Sequence, residues 1–149
     1  MREILFCGKR LDNGEWVEGL LTVMWGQYHI INPSDENTAY PVDPETVGQF
    51  TGLADQKGNR AFTDSVIRYS GEYGHVVYGI VRFGEIPTDF GTNANHIGFY
   101  VEWQNSGANE WNEWWRHDLA FWLKDRRCEI IGNRWNNPEL LEVRHEHRR

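Results

Sequence analysis

Short runs of alternating apolar and polar residues, each closed by turn residues, set the plan of this chain. In residues 3–8, Ile4 and Phe6 fall on one face and Leu5 and Cys7 on the other, the pattern of a first strand. Asp12-Asn13-Gly14 is a hairpin signal, and residues 15–21 return as a second strand with Trp16 and Val17 at its start. Residues 28–31, Tyr-His-Ile-Ile, read as a third strand closed by Asn32-Pro33. Residues 34–38 read as a polar loop. These elements predict a small antiparallel sheet, completed by residues 47–50.

The span 42–69 joins this sheet to a part with a different pattern. Asp43 is placed to accept from the free N–H groups of a helical turn, with Pro44 at its first position. Residues 46–51 alternate like a short strand, and Asp55-Gln56-Lys57-Gly58-Asn59 is a polar turn. Further strands are expected over 66–69, 75–83, 98–103 and 128–132. Phe99, Val101 and Trp103 should share a face of theirs. Residues 70–74, 87–95 and 105–107 read as loops, and Asn137-Pro138 should open a last helical turn with Leu140 and Leu141 packing back.

Residues 110–124 fit two patterns. Trp111, Trp114, Trp115, Leu119, Trp122 and Leu123 fall on one helical stripe, whereas residues 112–116 would also pair as a strand with 98–103 across a turn. The reading adopted is a strand to about Arg116, then a short helical or irregular piece over 118–123. The fold class expected is mostly β: a small N-terminal antiparallel sheet, about residues 1–58, fused to a partly open small barrel, about 59–149, in a single domain with few helical turns.

The 149 residues carry 15 basic and 22 acidic side chains, a net charge of −7. This balance argues against general affinity for nucleic acid, whose phosphates call for clustered Lys and Arg. A local basic patch remains open at Arg116, Lys124, Arg126 and Arg127. No apolar run follows Met1 and none approaches the length of a membrane span, so neither a signal peptide nor a spanning helix is expected. Cys7 and Cys128 read as ordinary buried thiols rather than a bridge.

Four stretches carry a family resemblance. The first is Met1-Arg2-Glu3-Ile4-Leu5-Phe6-Cys7-Gly8-Lys9, continuing through Asn13-Gly14-Glu15-Trp16-Val17-Glu18-Gly19. The second is Val42-Asp43-Pro44-Glu45-Thr46-Val47-Gly48-Gln49-Phe50-Thr51-Gly52-Leu53. The third is Ile97-Gly98-Phe99-Tyr100-Val101-Glu102-Trp103. The last is Cys128-Glu129-Ile130-Ile131-Gly132-Asn133 with Asn137-Pro138-Glu139-Leu140-Leu141. In order and spacing the chain resembles the YopX family of bacteriophage and prophage proteins. It departs where the family shows an Ile-Tyr-Glu-Gly-Asp-Ile-Val type run: here stands Ala61-Phe62-Thr63-Asp64-Ser65-Val66-Ile67, with Asp64-Ser65 in place of Gly-Asp. The resemblance implies a phage origin and the cytoplasm of a bacterial host. It implies no established activity and carries over no catalytic residue.

The chemistry-bearing residues do not assemble into a reaction. The six histidines form no finger-type spacing with cysteine, so no metal is expected. Ser65, Ser70 and Ser106 lie outside any nucleophile-elbow motif, and no phosphate loop or dinucleotide fingerprint occurs, so no cofactor is expected. Asp64, Glu102, Glu113 and Asp118 lie near aromatic residues, but spacing alone does not pair them.

The aromatic content is the unusual feature, with 8 Trp, 6 Tyr and 7 Phe. Trp111, Trp114, Trp115 and Trp122, with Arg116 and Lys124, are the candidate binding residues, and core packing is the other reading of their tryptophans. The expectation is a non-catalytic protein-interaction module, self-association included. Binding of single-stranded nucleic acid by segment 111–127 is the alternative.

Overall fold

The computed structural model describes residues 3–86, 96–104 and 118–141. The protein is mostly β and divides into two compact units, Met1–Gly52 and Leu53–Arg149.

The first unit is an antiparallel sheet. Its strands are β1 (Phe6–Lys9), β2 (Trp16–Met24), β3 (Gln27–Asn32), β4 (Asp35–Pro41) and β5 (Gly48–Ala54), in the spatial order β4-β3-β2-β1-β5. Leu5, Ile30, Val42 and Phe50 are its buried apolar residues. The turn before β5 forms as its residues dictate. Asp43 caps the 3-10 turn Pro44–Thr46 by accepting from the Glu45 N–H at 3.1 Å. Thr46 Oγ1 is buried with two partners: it accepts from the Lys9 N–H at 2.9 Å and donates to the Asp43 carbonyl at 2.7 Å.

Residues 34–38 correct the reading as a loop, because Asp35–Pro41 is a strand. Asn32 turns the chain there by accepting from the Ser34 N–H. β4 then pairs with β3 from Asn32↔Asp35 to His29↔Pro41, so the ladder overrides local turn chemistry. Its polar residues and its terminal proline suit the outer edge of the sheet, where they discourage further pairing.

The second unit takes the end of β5 through the Asp55 turn into β6 (Arg60–Phe62). Its sheet comprises β7 (Ser65–Ser70), β8 (Val76–Ile86), β9 (His96–Gln104) and β10 (Cys128–Asn133). All pairs are antiparallel in the order β10-β7-β8-β9, and among the described residues the sheet is open rather than a closed barrel. A short helix, α1 (Leu119–Leu123), lies against it. Leu119, Trp122 and Leu123 occupy one stripe at i, i+3 and i+4 and face the core, while Phe121 stays exposed.

The core of this unit gathers Ile67, Val77, Val81, Val101, Trp103 and Cys128 around that stripe, with Phe99 packed against it. Gly79 sits opposite Trp103 across β8 and β9, and a Cβ there would lie 2.4 Å from Val101 and 3.0 Å from the Trp103 ring. Trp103 thus uses the space that a side chain would take.

Candidate functional site

The β2–β3 hairpin turns through Trp25-Gly26, with φ of 52° and 76°. Positive φ at both central positions is the tight hairpin turn whose twist matches the strands, and Asn, Asp or Gly normally fills its first position. Here a tryptophan holds that place. A bulky side chain in the left-handed region carries a conformational cost, so this residue is not the one local stability selects. Trp25 is 96% exposed.

The strands leading to the turn extend the same character. Leu21 pairs with Ile30 and Val23 with Tyr28, so these four share a face of the hairpin. Ile30 is fully buried on that face. One pair further out Val23 is 54% exposed and Tyr28 is 39% exposed. The apolar side of the first sheet therefore runs on beyond its core as an uncovered strip ending at Trp25. Leu20 is also exposed, on the opposite face.

No charge interrupts the paired part of the hairpin, residues 20–31. Residues 19–34 contain no Lys, Arg, Asp or Glu, the longest such run in the sequence. This run and the Trp-Gly pair between two strand patterns were the legible signals for the site. Sequence reasoning passed over them for the denser aromatic segment further on.

Of the residues singled out from sequence, Trp111, Trp114, Trp115 and Arg116 lie outside the described residues. Trp122 is in the core of the second unit, 5.1 Å from Trp103 and 5.6 Å from Tyr69 between ring centroids, both edge-on. This is the packing alternative for that residue. Lys124, just past α1, is exposed.

The second unit has its own exposed turn of the same kind. Between β7 and β8, Tyr73 (φ 59°) and Gly74 (φ 77°) take the central positions, and Tyr73 is 96% exposed. Its setting differs, because Glu72 precedes it and His75 follows it. On the sheet face away from α1, Arg82 reaches Asp64 at 3.5 Å and Glu102 at 3.4 Å, and Arg134 reaches Asp64 at 3.7 Å.

The Cys128 thiol offers little reactivity. Cys7 and Cys128 are not joined in a disulfide, and burial pushes the Cys128 thiol up to about 12, with Asp125 adding to the effect and Arg127 opposing it. Among the described residues no group of three or more His, Cys, Asp or Glu is placed to hold a metal ion, and no helix is long and apolar enough to cross a membrane.

The fold and the hairpin together define a mostly-β protein of two antiparallel sheets that carries an exposed aromatic turn. The chain belongs to the YopX family, whose model matches residues 15–142. No curated protein matches it.

Proposed function

We propose that this chain is a non-catalytic protein-interaction module of a phage or prophage, acting in the bacterial cytoplasm, with Trp25 as its anchor. The observation that carries the reading is the near-complete exposure of Trp25 on a turn where its backbone conformation is unfavourable. A residue kept there against local preference is explained by what its side chain contacts outside the chain. An indole buried on binding removes about 150–250 Å² from water and is a common centre of protein interfaces. Val23 and Tyr28 supply the apolar surround. A hairpin without basic residues offers nothing to a phosphate backbone, which favours a protein surface as the partner.

The test is site-specific crosslinking in bacterial cells producing the chain, with a photoreactive phenylalanine at position 25 and, separately, at Glu36, an exposed residue of β4. The expected result is a protein adduct from position 25 and little or none from position 36. No adduct at position 25, or equal adducts at both positions, would overturn the reading.

A further inference from the structure

We propose that Asn13 is a site of spontaneous deamidation, gated by opening of the turn between β1 and β2. The site lies on a different turn from Trp25. Asparagine followed by glycine is the pair most open to this reaction, because glycine puts no side chain in the way of its own backbone nitrogen. No other asparagine in the sequence precedes a glycine. Asn13 and Gly14 are both exposed. Gly14 has a φ of 74°, so the turn itself calls for glycine there and the labile pair comes with it.

The reaction needs water alone. The Gly14 amide gives up its proton, and its nitrogen attacks the side-chain carbon Cγ of Asn13. The new C–N bond closes a succinimide ring, and the bond from Cγ to Nδ2 breaks as ammonia leaves with the proton. Water then opens the ring at either carbonyl. One opening gives aspartate. The other gives isoaspartate, whose main chain runs through the former side-chain carbon.

The turn holds the first step back. The Gly14 N–H donates to the Arg10 carbonyl at 3.0 Å, and the Arg10 N–H donates to the Glu15 carbonyl at 2.8 Å. Asn13 Oδ1 accepts from the Glu15 N–H at 2.9 Å. The proton that must leave is therefore bonded, and the side chain to be attacked is tied to Glu15. Removing a bonded amide proton requires local opening, as amide hydrogen exchange does, so one opening event controls both reactions. The ion pair in the turn, Arg10 with Asp12, is a surface contact of little strength, and the opening stays local.

The product changes the turn. Aspartate at position 13 sets a further carboxylate between Asp12 and Glu15. Isoaspartate adds a backbone carbon between Arg10 and Glu15, which their hydrogen bonds do not accommodate. The strain falls on the Lys9↔Trp16 pair, where β1 joins β2 inside the first sheet.

The test is incubation of the full chain at mildly alkaline pH, with position 13 followed by peptide mass mapping and isoaspartate by enzymatic methylation of its α-carboxylate. The chain unfolded in guanidinium chloride and the Asn13→Gln variant are the comparisons. Position 13 of the folded chain should convert to aspartate and isoaspartate at least about tenfold more slowly than in the unfolded chain. Exchange of the Gly14 amide should be slowed by a similar factor. Asn13→Gln should fold as the parent does and form no isoaspartate at that position. Equal rates in the folded and unfolded chains would overturn the gating by the turn. No product at position 13 of the folded chain, over the time set by the measured Gly14 exchange, would overturn the site itself.

Discussion

The carboxylate of Asp55 accepts the backbone N–H of Ile130 at 2.9 Å, joining two residues 75 positions apart. The same side chain accepts from the N–H groups of Lys57 at 3.0 Å and Asn59 at 2.8 Å, and from the Asn59 amide at 3.0 Å. One buried side chain thus shapes the turn before β6 and ties it to β10. Burial works to raise its pKa, but these donors prevail and hold it below the usual carboxylate value.

Asp55→Ala leaves several of those donors without their acceptor and should destabilise the chain by about 2–4 kcal/mol in urea denaturation. The pH dependence has a definite sign. A depressed folded pKa contributes stability above the unfolded value of about 4, and that contribution is lost as pH falls through the folded pKa. The parent chain should therefore lose stability more steeply below about pH 4 than Asp55→Asn. Equal slopes would show that the carboxylate charge is not used.

At the hairpin tip the stability prediction runs the other way. Trp25→Asn relieves a bulky residue of a left-handed conformation and should raise stability by up to about 1 kcal/mol, read as a higher urea midpoint at an unchanged slope. A loss of stability would mean that the indole packs within its own chain.

Gly79 is predicted to resist substitution. A methyl group there meets Val101 and the Trp103 ring inside a packed core, where neither can retreat. Gly79→Ala should cost about 1–3 kcal/mol and should shift the Trp103 environment seen by near-ultraviolet circular dichroism. A neutral outcome would refute the close packing of that ring on β8.

Asp64 combines a φ of 73° with ion pairs to Arg82 and Arg134. Asp64→Gly frees the backbone but gives up pairs that partial solvent exposure keeps weak, so its net effect should stay within about 0.5 kcal/mol. Asp64→Ala loses the pairs and keeps the backbone cost. It should be less stable than the glycine variant by about 1 kcal/mol, a ranking that thermal denaturation checks directly.

Cys128 should resist alkylation in the folded chain. With its thiol pushed up to about 12, it is protonated at neutral pH as well as buried. In a Cys7→Ser background, iodoacetamide should label Cys128 only at the rate at which the second unit opens. Rapid labelling at neutral pH would contradict its place in the core.

Much of the architecture was legible because the residues that decide it act locally. Asp43 and Pro44 form a capped turn wherever the chain places them. Phe99, Val101 and Trp103 share a face because strand geometry leaves no alternative. β4 escaped notice for the opposite reason: Asp35 and Asn37 favour turns, and only pairing with β3 makes them a strand. Of the two forms open to 118–123, helical or irregular, α1 takes the helical one over Leu119–Leu123. Aromatics are denser in residues 111–122 than at the hairpin tip, so composition alone points to that segment. What singles out Trp25 is its isolation, an aromatic at a position that ordinarily takes Asn or Gly.

The order of strands in the second sheet bears on how the chain is made. β7, β8 and β9 follow one another as neighbours, but β7 receives its other neighbour, β10, only from near the end of the described chain. As the chain leaves the ribosome, one flank of β7 must stay unpaired until Cys128 and the residues after it emerge. During that interval Asp55 also waits for Ile130. β10, the last of the described strands to be synthesised, closes an open edge, so chains stopped short of it should be more prone than the full chain to degradation and to pairing with one another.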